Sequence, residues 1–410
     1  MKQIDGSVTA VPGIKASGVQ AGIKIKDKKE VALIVAEKPV AAAGVFTINR
    51  AKAAPIYVCQ EHLKDGIAQA IVANSGNANA CTGEGGMVDA YNMAKITADE
   101  LGIDEKLVLV ASTGVIGKRL PMDKIEAAIK LAAKSLSSDG GHDAALAIMT
   151  TDLAPKEIAV EIEVASSPFG KGGQGEFPVK IGGVAKGSGM IRPHLATMLA
   201  FLTTDVNIAP ELLQTALRDA VDKSFNMMTV DGDMSTNDTV LILATGMAGN
   251  PKITAKNSAY HQFCAGLDYV TLELAKMIAK DGEGATKLIK VVVKGAKNFE
   301  DAEKAARAVA ESNLVKTAIF GMDANWGRIV CALGYSGAEF ELSDVDVWMN
   351  DLQLVKAGVD AGFSEERAKE IFKLDELSII SDLHAGDAEA TIWTCDFSCD
   401  YVKINAAYRT

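Results

Sequence analysis

Aromatic residues are scarce in this chain, at 5% of 410 positions, and basic residues are outnumbered, 42 Lys and Arg against 53 Asp and Glu. A surface that grips phosphates without reading sequence needs clustered cations, and one that holds single strands needs aromatic stacking platforms. A formal net charge of −11 therefore excludes non-specific nucleic-acid binding as the main activity, while leaving room for a small basic pocket. Six cysteines spread over the chain are too few and too scattered for a disulfide scaffold. The close pair Cys395 and Cys399 has only His384 nearby, short of a zinc ligand set, so no metal is expected.

Other absences narrow the field further. The first residues, "MKQIDGSVTAVPGIKAS", hold no apolar core of signal-peptide length, and no apolar run reaches the roughly 18 to 20 residues that span a bilayer. A reduced, cytoplasmic enzyme is expected. There is no H-E-x-x-H, no Walker A and no Rossmann glycine fingerprint. "GYSGA" (334–338) misses a nucleophile elbow because Ala338 replaces the final glycine. "DGDMSTNDTVLI" opens like a calcium loop with Asp231, Asp233 and Ser235, but Thr236 takes the place of the turn glycine and Ile242 that of the bidentate Glu. Five unclustered histidines give a Ser-His-Asp triad weak support.

What is present reads as a soluble, layered α/β protein. Hydrophobic residues make up 48% and charged residues 23%, with Ala, Gly and Val abundant, which suits closely packed layers. "LVLVA" (107–111) reads as a buried strand followed by the loop "STGVIG". Pro121 then opens a helix with Ile125, Ile129, Ala132 and Leu136 on one face. "PELLQTALRDAV" from Pro210 and the stripe Leu267, Val270, Leu274, Met277 and Ile278 read as helices. "LIKVVVKG" (288–295) reads as a buried strand and "TIWTCDFS" as a half-buried one. "SSPFGKGGQGEFP" (166–178) reads as an exposed hairpin or loop, and "MTTD" at 149–152 is echoed by "LTTD" at 202–205.

One stretch invites chemistry. In "KGSGMIRPHLATMLAFLTTD" (186–205) a glycine-punctuated run meets the small Ala196, then Thr197. A threonine hydroxyl is a poor nucleophile unless a base takes its proton, and a threonine at a chain start carries such a base, an α-amine with pKa about 7.7 to 8.0. Cleavage between Ala196 and Thr197 would create that start. Spacing alone favours a plain loop leading into a buried strand or helix.

Eight blocks in order change the weighing: "NSGNANACTG" (74–83), "ASTGVIG" (111–117), "MTTDLAPK" (149–156), "KGSGMI" (186–191), "ATMLAFLTTD" (196–205), "DGEGATK" (281–287), "DANWGRI" (323–329) and "YVKINAAYRT" (401–410). Together they resemble the ornithine acetyltransferase family, also called glutamate N-acetyltransferases, over nearly the whole chain. The resemblance implies a layered α/β sandwich of helices and sheets, similar to amino-terminal nucleophile hydrolases but connected differently. It implies self-cleavage into an α chain (1–196) and a β chain (197–410) that stay together and pair as α2β2.

It also implies acetyl transfer from N2-acetyl-L-ornithine to L-glutamate through an acetyl-Thr197 ester, a step of arginine biosynthesis, without a cofactor and with acetyl-CoA as a possible second donor. Thr113 and Gly114 match the oxyanion hole. Thr150 or Thr151, Lys186, Thr197, Glu283, Asn405 and Thr410 match substrate contacts. Two departures stand out: His194-Leu195 replaces a common Asn-Met pair, and Met234 replaces a common threonine. Two rivals remain, a self-processing amidohydrolase or aminopeptidase that uses water as acceptor, and an unprocessed binding protein on the same fold.

Overall fold

A computed structural model describes residues 1–23, 27–165, 175–192 and 198–407. The chain divides into two compact units. Unit 1 comprises Met1–Met190, His194–Asn226 and Asp233–Ile278; unit 2 comprises Ile191–Pro193, Met227–Gly232 and Ala279–Thr410.

Unit 1 is built on β1 (Lys2–Ile4), β2 (Ile14–Gln20), β3 (Lys29–Phe46), β4 (Ile67–Asn74), β5 (Val108–Ser112), β6 (Lys156–Ala165), β7 (Glu176–Lys186), β8 (Leu199–Thr204) and β9 (Thr239–Ala244). They form one sheet in the order β1-β6-β7-β8-β9-β3-β4-β5, with β2 also on β3. β8 and β9 pair in parallel and every residue of both is buried, which is why "LAFLTT" and "TVLILA" read as unbroken apolar-rich runs rather than alternating ones. The register of β3 against β4 shifts between Val35 and Val40. Pro39 falls inside that gap and offers no N–H to a ladder. The first half of β3 therefore pairs β2, and the second half pairs β9.

Helices α1 (Ala54–His62), α2 (Gly83–Leu101), α3 (Met122–Lys134), α4 (Gly141–Ile148), α5 (Pro210–Lys223) and α6 (Ser258–Lys280) complete the layers, α6 running on into the start of unit 2. Most of the expected faces hold: Ile125, Ile129 and Ala132 of α3 are fully buried, as are Leu267, Val270, Leu274 and Ile278 of α6, whereas Met277 of the same stripe is only half-buried. Leu136 packs on the core from beyond the end of α3. α2 is the crossover that joins the parallel strands β4 and β5.

Unit 2 holds β10 (Leu288–Ala296), β11 (Asp346–Met349), β12 (Leu352–Lys356), β13 (Val359–Asp360), β14 (Glu376–Asp382) and β15 (Ala388–Cys395), in the order β13-β12-β11-β14-β10-β15. Its helices are α7 (Phe299–Glu311), α8 (Asn313–Phe320), α9 (Trp326–Tyr335), α10 (Glu365–Ile371) and α11 (Cys399–Ala406). α7 lies on β10 and β15 through Ala302, Ala305, Ala306, Val309 and Ala310, a small-residue face at helical spacing that lets helix and sheet approach closely.

Three sequence expectations need amendment or closer placement. Within 166–178, read as an exposed hairpin or loop, Glu176–Pro178 open β7, which pairs antiparallel with β6 up to Ala165, while 166–174 lie outside the described residues. "MTTD" follows α4 whereas "LTTD" lies in and just after β8, so the echo is not a structural repeat. Ser336 of "GYSGA" caps the end of α9 and donates to Leu333 O, the opposite of a strained strand-to-helix elbow. Among the described residues no helix is long and apolar enough to cross a membrane, and no cluster of His, Cys, Asp and Glu could hold a metal.

Candidate active site

In unit 1 the parallel strands β4 and β5 end side by side at Asn74 and Ser112, so the loops that follow them leave the same sheet edge. Ser112 Oγ donates to Asn74 Oδ1 at 2.7 Å, and Thr113 N donates to Asn74 O at 2.9 Å. Asn74 Nδ2 in turn donates to Asn77 O at 2.9 Å, and Asn77 bridges to Thr113. Gly114 sits at φ +133°, and a Cβ there would lie 2.3 Å from Gly76 C and 2.5 Å from Asn77 N. Any other residue would push the two loops apart, so "STG" is fixed by close backbone approach.

Thr113 is 1% exposed and its Oγ1 accepts from Lys186 Nζ at 3.4 Å. Lys186 ends β7 and is itself 1% exposed. Next to it, Gly187 N donates to Asp152 Oδ1 at 2.7 Å, Lys156 Nζ donates to the same oxygen at 2.7 Å, and Thr150 N donates to Asp152 Oδ2 at 2.9 Å. Burial opposes the charge of Asp152, but Lys186 and Lys156 outweigh it and hold the carboxyl below the ordinary carboxylate range. The Asp238 carboxyl feels Lys186 too, yet full burial pushes its pKa well above that range. Lys186 and Lys156 thus stand around the Asp152 carboxylate, with the Thr113 hydroxyl on Lys186 and Gly187 N on Asp152.

Unit 2 assembles a second cluster. Glu283, in the turn between α6 and β10, is 7% exposed and accepts from Asn405 Nδ2 at 2.7 Å. Gly284 at φ +70° lies against α11, where a Cβ would approach Tyr401 N to 2.7 Å. Ser398 caps α11 and donates to Gly284 O at 2.6 Å, locking the helix to the turn. Asp396 accepts from Thr286 N, Thr286 Oγ1 and Lys287 N, which fixes the other end of "DGEGATK".

The structure therefore gathers Thr113, Gly114, Lys186 and the backbone of Thr150 in unit 1, and Glu283 with Asn405 in unit 2. Thr150 and Thr151 are both half-buried. Ala196, Thr197, His194, Leu195 and Thr410 lie outside the described residues.

The profile of the ArgJ family matches residues 15–410. The chain belongs to the ArgJ family. It is 54% identical to the arginine biosynthesis bifunctional protein ArgJ of Symbiobacterium thermophilum and 50% identical to that of Caldanaerobacter subterraneus subsp. tengcongensis, with 100% of each chain covered. A solved ArgJ structure from Bacillus halodurans is 45% identical over 50% of this chain and 97% of that chain, with a TM-score of 0.49.

Reading the ArgJ blocks residue by residue missed Asp152, Lys156, Asn237 and Asp238. The first two stand four apart inside "MTTDLAPK", the spacing of an ion pair, and the last two are consecutive polar residues just before an apolar strand. Their spacing hinted at pairing; that all four are buried was not visible.

Proposed function

We propose that the chain transfers acetyl from N2-acetyl-L-ornithine to L-glutamate, through an ester on Thr197 that becomes available when the chain cuts its own 196–197 bond. Thr197 Oγ attacks the acetamide carbonyl and the α-amine of Thr197 takes the hydroxyl proton. The developing oxyanion is held by the Thr113 hydroxyl and the Gly114 N–H; one such donor is typically worth about 100- to 1000-fold in rate. The tetrahedral centre collapses, the C–N bond breaks, and the α-amine returns the proton to the leaving ornithine nitrogen. Glutamate's neutral amine then attacks the acetyl ester, and the same groups run in reverse to give N-acetylglutamate and free Thr197.

The observation that carries this reading is the Thr113–Gly114 pair set beside the buried Lys186 in a chain of the ArgJ family. Lys186 supplies the positive charge for a substrate α-carboxylate, with a hydroxyl of Thr150 or Thr151 beside it. Glu283 supplies the negative partner for the ornithine ammonium, and Asn405 and Thr410 complete the substrate contacts. That the relatives are named bifunctional supports acetyl-CoA as a second acetyl donor, since the same acetyl-enzyme serves both. No cofactor or metal enters the reaction proposed, which runs in the cytoplasm.

Sheet order supports the two chains staying together. β8 and β9 lie between β7 and β3, so strands from 197–410 would be hydrogen-bonded on both sides by strands from 1–196. Two such αβ units are proposed to pair as α2β2.

Denaturing gels test the cut: fragments of 196 and 410 − 196 = 214 residues are expected from the wild type. Thr197→Ala should leave one intact chain without acetyl transfer. Ornithine release from acetylornithine that is indifferent to glutamate would replace the transferase reading with the hydrolase one. Glutamate acetylation from acetyl-CoA alone decides the second donor.

A further inference from the structure

The block "MTVDGDMSTNDT" (228–239) binds no calcium by its pattern, and the reaction above makes no use of it, yet 228–230 and 235–239 are buried, and both ends of the block are hydrogen-bonded to other segments. In unit 2, Ile191 N donates to Asp231 Oδ1 at 2.8 Å, while Ile191 O accepts from Val230 N and from Thr229 Oγ1, both at 2.9 Å. Tyr401 Oη holds the other oxygen of Asp231 at 3.1 Å. In unit 1, Met198 N donates to Asp238 Oδ1 at 2.9 Å and Met198 O accepts from Thr239 N at 3.2 Å. Ile191 and Met198 are thus each held by both backbone groups, and each by residues of this one block.

The same block reaches the oxyanion loop. Asn237 Nδ2 donates to Ser112 O at 2.7 Å and to Ala78 O at 2.6 Å, and its own Oδ1 accepts from Thr236 Oγ1 at 2.6 Å. Ser112 is bonded to Thr113, and Met198 to Thr197. Asn237 and Asp238, consecutive in sequence, therefore fix the neighbours of both groups that the proposed reaction brings together.

We propose that Asn237 and Asp238 form a brace for self-cleavage within unit 1, with Asp238 as a positioning residue that holds Met198, next to Thr197, and Asn237 tying the brace to the oxyanion loop. This inference rests on the Thr197 reading above. An intramolecular attack on a peptide carbonyl requires near-attack geometry, and a displacement of 1 Å can cost about 100-fold in rate. Anchoring Met198 by both backbone groups, on the same brace that holds Ser112 O, removes backbone freedom at one flank of the cleavage point. Asp238 is fully buried, and its Oδ2 has no hydrogen-bond partner among the described residues. Burial pushes the carboxyl's pKa well above the ordinary range, and an amide keeps its shape and the oxygen that accepts from Met198 N.

The test follows cleavage of the full chain after cell-free synthesis, on denaturing gels, with thermal unfolding to establish that each variant is folded. Asp238→Ala should slow cleavage on the order of 100-fold, and Asp238→Asn should restore it to within severalfold, because Oδ1 still accepts from Met198 N. Asn237→Ala, which releases Ser112 O and Ala78 O, should slow cleavage comparably, and it decides the question should Asp238→Ala fail to fold. In chains that do mature, Asp238→Ala should lower kcat with KM for acetylornithine unchanged, a split that general loosening of the fold would not give. A folded alanine variant that cuts itself at the wild-type rate overturns the brace. A wild-type chain that never cuts overturns the Thr197 reading instead, so the two failures are distinguishable.

Discussion

The two clusters that carry the expected site residues solve opposite problems. In unit 1, Lys186, Lys156 and Asp152 are all within 2% of complete burial at their side chains or as residues, and one another, the Thr113 hydroxyl and backbone groups answer their charges. In unit 2, Glu283 is nearly buried but its partner Asn405 is exposed, on a helix of eight residues whose side chains are largely solvated. A buried ionised group must be satisfied in place, because water cannot relax around it. A pair at the surface keeps water as a substitute partner. On the proposed reaction, unit 1 would supply fixed electrostatics at the reacting carbonyl, and unit 2 recognition that tolerates adjustment.

The contrast breaks most sharply at Asp152. Asp152→Ala would leave Lys156 and Lys186 buried without their carboxylate and would free Gly187 N and Thr150 N at once. Removing one partner of a buried pair costs about 3–5 kcal/mol. Urea unfolding should register that loss, and Asp152→Asn should recover only part of it because an amide cannot balance the ammonium groups. Next in size is Gly114→Ala. A Cβ 2.3 Å from Gly76 C forces the "STG" loop off its neighbour and turns the Gly114 N–H away from the oxyanion. A drop in kcat of about 100- to 1000-fold is expected, measured as acetyl transfer with stability followed separately.

How much of this could be read from residues alone differs between the two regions for a physical reason. The strand and loop at 107–117, the helices from Pro121 and Pro210 and the stripe of α6 were legible, because periodicity and proline placement are local signals. The layered α/β class followed from the mixed order of those elements, and the family from eight blocks in sequence. The charge cluster was not legible. Asp152 and Lys156 flank a proline at 155, and only the antiparallel pairing of β6 with β7 brings Lys156 level with Ala185 and so beside Lys186. Likewise nothing in "STND" announces that Asn237 reaches across 125 positions to Ser112 O. Long-range pairing in a sheet sets these contacts, and residue spacing carries no record of it.

Titration separates two aspartates of the same unit. Asp152 has a folded-state pKa below its unfolded value of about 3.9, so its stabilisation is present above that pH and is lost as pH falls through the folded value. Asp238 has a folded-state pKa well above its unfolded value, so its stabilisation is complete below about pH 3.9 and is lost as pH rises through the folded value. Stability profiles by chemical denaturation should therefore change at opposite ends. Asp152→Asn should flatten the acid limb, and Asp238→Asn should flatten the decline towards higher pH. A variant pair that alters the same limb would mean that the two carboxyls share one protonation state after all.

The smallest effect should come from unit 2, and its smallness is what sharpens the comparison. Glu283→Gln keeps the side-chain shape and an oxygen that accepts from Asn405 Nδ2, while removing the charge. Because Asn405 is neutral and exposed, no ammonium is stranded, and the cost in stability should stay within about 1 kcal/mol. KM for acetylornithine should rise by roughly tenfold, the loss of one solvated charge partner worth about 1.4 kcal/mol, with kcat little changed. Loss of kcat equal to that of Gly114→Ala would mean that Glu283 acts on the reacting atoms, and the division between fixed electrostatics in one unit and recognition in the other would fall.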